Sequence, residues 1–453
     1  MTDELLAITD ELEDDAETQW DEYLPFKILD DDSRELTPVV GHTMVECNKA
    51  LIIWGGYYHA EEDDIRHRSS SFLHILPAGL LADSKRIKWI LYHVPRGDVP
   101  PSTSGSSAVL CDSQLFIFGG YMKHSVPNNV MEGHSSMMYV LDLIEESWSL
   151  FKTREKNLIP TPRDKMVGWC HGKKCYYFGG YGPRPFDMPN PTLYLSNSGD
   201  FVPDESSTFY WNNQLLIFDP DPSQKLNWSL AVVGGTVPSP RAACASTYLA
   251  KYNSILIFGG RIRNDRLNDS YMLDLSTLIW SQIQVPGTSI PQGRTWCSLN
   301  ANSPDQAVLY GGYSSAERTL SDFWKIQVTK NKVGKYEGEW TSLNLGNETQ
   351  ARLWHTGAII NGKLFVCGGT DDIMEQHIKT RGVWRRRVKP SSLMDICLSY
   401  LNATIVEISM IPYTLQIRMA WTRYLTSEGA DAFHLDTSSF QGLKLADLLN
   451  MCQ

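Results

Sequence analysis

The chain has 453 residues, enough for one large repeat domain with an appendage or for two or three ordinary domains, and carries a formal net charge of −11. It is 42% hydrophobic and 11% aromatic, the composition of a folded globular protein. No apolar run approaches the roughly 18 residues of a membrane span, and nothing in the acidic balance offers the basic face that nucleic-acid binding needs.

The chain opens on MTDELLAITDELEDD, which lacks the basic and apolar regions of a secretory signal. An intracellular protein, in the nucleus or the cytoplasm, is expected. Asp3 to Glu17 holds eight acidic side chains and no Lys or Arg, so residues 1–24 read as a solvated, disordered tail. The nine cysteines, at 47, 111, 170, 175, 244, 297, 367, 397 and 452, form no CxxC pair and are odd in number, which predicts reduced thiols. Cys170, His171 and Cys175 lie close together but lack a second ligand pair. They read as strand packing, and neither a metal nor a cofactor is expected.

From residue 25 to 389 the sequence is organised by a glycine pair that follows a β-rich apolar run: LIIWGGY, LFIFGGY, CYYFGGY, ILIFGGR, AVLYGGY and LFVCGGT. The first glycines fall at 55, 119, 179, 259, 311 and 368, giving spacings of 64, 60, 80, 52 and 57. A kelch blade repeats at about 50 residues, so six copies predict an all-β, six-bladed kelch β-propeller with loop insertions. A Trp follows most pairs, at 89, 148, 228, 280 and 340, as a filler between sheets. Arg163, Arg241, Arg294 and Arg352 precede successive first strands and, being repeated, read as scaffold.

The fourth blade breaks the pattern. Tyr57, Tyr121, Tyr181 and Tyr313 follow the glycine pairs of four blades, whereas Arg261 follows the fourth, in GGRIRNDRLND. Arg261, Arg263 and Arg266 then share a loop at one mouth of the propeller and suit an anionic ligand, since a guanidinium pairs with a carboxylate through two charge-assisted hydrogen bonds. The plainer reading is that they bond loop carbonyls, Asp265 or Asp269. The sixth blade lacks a clear outer strand, and a strand within residues 25–40 is expected to complete it and close the ring. His42 and His355 stand in repeated strand contexts as packing residues.

After Pro390 the pattern turns helical. Leu393, Ile396, Cys397, Tyr400 and Leu401 fall on one apolar face, Pro412 can open a second helix, and KLADLLNMC a third. Residues 390–453 thus form a small helical tail, either a brace under the propeller or a docking element.

The segments PSPRAACAS, FGGRIRNDRLND, PQGRTWCSL and ARLWHTG resemble the kelch domain-containing protein 2 group, substrate receptors of cullin-2 ubiquitin ligases. The resemblance covers the propeller. It implies capture of the extreme C-terminus of client proteins, with a terminal Gly-Gly preferred, Arg261 and Arg266 holding the free carboxylate, and Lys165, Tyr181, Trp211, Thr295 and Trp296 forming the pocket. In the tail, Ser392, Leu393, Cys397 and Leu401 resemble an elongin C-binding box, and Ile411, Pro412, Leu415 and Met419 resemble a cullin-2 box. Elongin C, elongin B and cullin-2 are the implied partners of a chain that itself catalyses nothing. Because the chain stops at Met451-Cys452-Gln453, capture of its own tail is not expected. Two rivals stay open: a kelch scaffold outside any ligase, and a propeller resembling the copper oxidases, which needs Tyr, His and Cys ligands at one mouth.

Overall fold

A computed structural model describes residues 26–30 and 39–389, apart from 62–63, 82–86, 127–128, 153–157, 198, 225, 344–349 and 372–382, and then Met419, Thr422, Leu425 and residues 444–452. Six sheets radiate around a central channel. The innermost strands are Thr43–Cys47, Ser107–Cys111, Val167–His171, Ala245–Leu249, Ser298–Ser303 and Thr356–Ile360, and each pairs antiparallel with the apolar strand that ends at a glycine pair. The glycine pairs lie at one face, here the upper face, with positive φ at both positions of all six. At Gly260, φ is 100° and an added Cβ would lie 2.9 Å from the Cβ of Cys244, so a side chain is excluded by conformation and by space.

The predicted tryptophan spacing is a packing rule between blades. Trp148, Trp228, Trp280 and Trp340, on fourth strands, are buried and meet the aromatic ring that ends the second strand of the preceding blade. Ring centroids are 6.0 Å apart for Trp54–Trp148, 4.8 Å for Phe118–Trp228, 5.0 Å for Phe178–Trp280 and 5.2 Å for Phe258–Trp340. The long third spacing is an upper-face insertion between Lys174–Phe178 and Leu215–Phe218, which folds into a small sheet of Tyr181–Gly182, Tyr210–Asn212 and Phe201–Pro203.

The N-terminal strand departs from expectation. Phe26–Asp30 pairs with Lys88–His93 and adds a fifth strand to the outer edge of the first blade, rather than completing the sixth. Phe26 stacks on Tyr92 at 6.2 Å and is buried with Leu29, so the apolar edge of the first blade outcompetes the sixth for this strand. Among the described residues the sixth blade has three strands, ending with Val383–Arg387. The cysteines also depart from the prediction of reduced thiols, because Cys111 and Cys170 form a disulfide between the inner strands of blades two and three, with Cα atoms 5.7 Å apart. Neighbouring blades bring the two ends together across 59 residues of sequence.

The helix Leu445–Met451 docks on the lower face. Leu445, Leu448 and Leu449 join the core of the first two blades, Asn48 donates to Asn450 at 2.9 Å, and the Leu445 amide donates to Glu146 at 2.6 Å. Among the described residues no helix is long and apolar enough to cross a membrane.

His42 and His355 are buried, as their strand contexts predict, and hydrogen-bond Thr356 and Ser298 at 2.7 and 3.1 Å. Burial, reinforced by Arg68 for His42 and Arg352 for His355, pushes both down to about 3. Their folded values lie below the ordinary 6.5, so the stability they contribute is complete above about pH 6.5 and is lost as pH falls toward 3. At pH 5 each ring should cost about 2 kcal/mol of unfolding free energy. Urea midpoints from pH 8 to 4 should fall more steeply for the wild type than for His355→Gln; parallel curves would refute this.

Candidate functional site

A ring of backbone forms the throat of the channel. Gly41, Gly105, Lys165, Ala243, Trp296 and Trp354 occupy the same position in successive blades, each left-handed with φ between 52° and 67°. The amides of the last five each donate to the carbonyl of the predecessor, from Gly105→Gly41 at 2.7 Å to Trp354→Trp296 at 3.0 Å. Four of the six are not glycine, a concentration of unfavourable φ that the surrounding hydrogen bonds hold in place. Below lies a channel of about 280 Å³ lined by the inner strands. Above lies a mouth walled by the loops that follow the glycine pairs.

Arg261 and Arg266 stand opposite one another on a two-residue ladder, Arg261–Ile262 with Asp265–Arg266, closed by the left-handed turn at Arg263. The Arg261 guanidinium lies 5.8 Å from the centroid of the Trp211 ring, and that of Arg266 lies 5.7 Å from the Tyr313 ring. Their side-chain hydrogen bonds go to backbone carbonyls, Arg261 Nε to Arg263 at 2.7 Å and Arg266 Nη1 to Asn264 at 3.0 Å. Arg266 Nε is buried without a hydrogen-bond partner among the described residues. Burial first, and then the Arg261 charge, pulls the Arg266 guanidinium below its ordinary range. No carboxylate among the described residues lies within ion-pair distance of either group.

The scaffold arginines are the contrast. Arg241 and Arg294, both 0% exposed, grip Asp269 and Asp322 with two nitrogens each at 2.6–2.9 Å and reach the glycine-pair carbonyls of Gly259 and Gly311 at 3.0 Å. Arg163 and Arg352 reach the carbonyls of Gly179 and Gly368 in the same way. Four successive blades make this contact, so repetition marks structure. Asp269, the alternative partner considered for the loop arginines, belongs to Arg241.

The other predicted residues are distributed unevenly. Lys165 sits at the throat, paired with Asp164 and about 6 Å from the rings of Tyr181 (6.0 Å) and Trp354 (5.8 Å). Tyr181 faces the mouth and donates to Asp204 at 2.6 Å, and Trp211 lies behind Tyr181 and Arg261, 2% exposed. Trp296 stacks on Trp354 at 5.0 Å. Thr295 is 0% exposed and gives its hydroxyl to the Ala243 carbonyl at 3.2 Å, so it braces the throat backbone and offers no surface to a ligand. Ser392, Leu393, Cys397, Leu401, Ile411, Pro412 and Leu415 lie outside the described residues, and Met419 is helical and 1% exposed. Cys452 is on the lower face, away from the mouth.

Several groups of the mouth had not been singled out. Trp354 had a signal, since ARLWH repeats the register of GRTWC, and Tyr313 stands directly after a glycine pair. Asp204 and Phe209 had none, because they come from an insertion; His134 stands opposite Tyr121 as His67 stands opposite Tyr57 in the first blade, a match that the unequal hairpin lengths hide in the sequence. Asp204 lies below the ordinary carboxylate range: burial works against this, but hydrogen bonds from Tyr181 and Ser206 and the charge of Arg261 outweigh it.

The KLHDC2/KLHL20/DRC7 Kelch-repeats domain family model matches residues 41–197 and 192–385. The chain is 31% identical to Kelch domain-containing protein 2 of Bos taurus over 368 residues, covering 79% of this chain and 83% of that protein. It is 30% identical to Kelch domain-containing protein 1 of Mus musculus over 388 residues, covering 82% and 87%. The solved structure of YjhT superposes with a TM-score of 0.50 at 17% identity over 77% of this chain and 93% of that one, a likeness of fold.

Proposed function

The chain belongs to the KLHDC2/KLHL20/DRC7 kelch-repeat family, and on that premise we propose that it is a non-catalytic substrate receptor of a cullin-2/elongin B/elongin C ubiquitin ligase, in the nucleus or cytoplasm, whose mouth captures the C-terminal carboxylate of client proteins. The observation that carries the proposal is the contrast among arginines. The neighbouring scaffold guanidinium groups of Arg241 and Arg294 are matched to carboxylates, yet Arg261 and Arg266 face each other at the mouth with only loop carbonyls as side-chain acceptors among the described residues. Two like charges held together on aromatic rings are poised for an anion that supplies both, and a chain terminus offers two oxygens in the required plane. The stacked Trp296 and Trp354 rings at the throat would suit a small terminal residue such as glycine. The tail then recruits the ligase, with Leu393 buried in a groove of elongin C and the segment Ile411 to Met419 meeting cullin-2.

Calorimetric titration with peptides ending in Gly-Gly tests the mouth: the free acid should bind and the C-terminal amide should not. Equal binding, or none, would sink the carboxylate reading. Co-elution with elongin B/C tests the tail, where Leu393→Ala should remove about 1.5–3 kcal/mol of affinity. A chain that binds free-acid peptides but retains no elongin C is a kelch scaffold instead.

A further inference from the structure

The wall facing the arginines is chemically their opposite. Asp204 accepts hydrogen bonds from the Tyr181 hydroxyl at 2.6 Å and from the amide and hydroxyl of Ser206 at 3.0 and 2.7 Å. Beside it the His134 ring packs against Phe209 at 4.6 Å, Tyr121 at 5.1 Å and Tyr181 at 5.9 Å. Its side chain is 3% exposed and its Nε2 faces the Asp164 carboxylate at 3.5 Å. Its Nδ1 is buried with no hydrogen-bond partner among the described residues. Glu132 continues the wall and accepts from Tyr121. Lys165 pairs with Asp164, whereas no side-chain cation among the described residues lies within ion-pair distance of Asp204.

We infer that this wall is a second subsite that selects a Lys or Arg side chain a few residues upstream of the client's terminal carboxylate, with Asp204 as the residue that determines the preference. The inference rests on the carboxylate reading for the placement of the ligand's end. Its chemistry is independent: the Asp204 carboxylate and the Tyr181 oxygen both accept, and a desolvated acceptor without a donor is costly. An ammonium or guanidinium is the donor-rich group that answers both. Seating a carboxylate on Arg261 also brings a new negative charge toward Asp204, which already feels that arginine, and an upstream cation relieves the repulsion. A Glu in the same position would sharpen it.

The experiment is a set of fluorescent Gly-Gly peptides carrying Lys, Ala or Glu at each of positions three to six from the end, as free acids and as amides, titrated against wild type and Asp204→Asn. One Lys position is expected to bind about five- to tenfold tighter than its Glu counterpart on the wild type, as for a partly exposed charge pair. The ratio should fall to near one on Asp204→Asn, with the Ala peptide bound at least as tightly as by the wild type because the repulsion of the carboxylate is removed; a ratio that stays five- to tenfold on Asp204→Asn would overturn the role of Asp204. Free acids that bind equally well with Lys, Ala or Glu would overturn the second subsite and leave the carboxylate reading standing. Lys peptides that bind equally well as acid and amide would overturn that reading and keep the subsite. No binding by any peptide would overturn both.

Discussion

Arg241→Ala is expected to lower the unfolding free energy by about 3 to 5 kcal/mol, the cost of leaving one partner of a buried ion pair alone, while Arg261→Ala, twenty residues on, should leave it within about 0.5 kcal/mol. Arg241 is fully buried and uses all three guanidinium nitrogens: two on Asp269, one of these also on the Gly259 carbonyl, and Nε on the Ser239 carbonyl at 3.0 Å. Its removal strands Asp269 and uncaps the glycine pair that turns the fourth blade. Asp269 keeps 24% of its side chain exposed, so water partly rehydrates it and the loss should fall at the lower end of the range. Arg261 makes one side-chain hydrogen bond, to the carbonyl of Arg263, and its removal relieves Arg266 of a like charge. Urea denaturation of the two variants separates the roles; a loss of 3 kcal/mol for Arg261→Ala would make it a second scaffold arginine.

That separation was legible in the sequence because it rests on repetition. The glycine pairs, the fourth-strand tryptophans and the arginines before four of the first strands recur because the blades solve the same local problem, and a residue that breaks the series, Arg261, lies at the mouth. What could not be read depends on distant chain meeting in space. Nothing local to Phe26–Asp30 says that its apolar side chains prefer the edge of Lys88–His93 to the open sixth blade. The Cys111–Cys170 bond spans a blade boundary, so cysteine spacing alone pointed to free thiols. Thr295 sits beside Trp296 in sequence, but its side chain is fully buried against the Ala243 carbonyl while Trp296 stacks on Trp354. Asp204 belongs to an insertion with no repeat to be compared with, and His134 to a hairpin whose counterpart in the first blade, Tyr57 opposite His67, differs in length.

For binding, Arg266→Ala should weaken a free-acid Gly-Gly peptide by about 2 to 5 kcal/mol, roughly thirtyfold to several thousandfold in Kd. Arg266 is placed to contribute more than its charge. Its half-buried guanidinium lies over Tyr313, and its Nε has no acceptor among the described residues, so a carboxylate that reaches it satisfies a donor whose desolvation is already met by the fold. Arg266→Lys should recover only a small part of the loss, because an ammonium keeps the charge but not the two parallel donors. The decisive comparison is a cycle: Arg266→Ala should cost the amidated peptide little, since the group that couples to the arginine is already gone. An equal loss for acid and amide would mean that Arg266 shapes the mouth and does not hold the terminus. The carboxylate would then fall to Arg261 alone, with the tenfold weaker salt-sensitive binding expected of a more exposed charge.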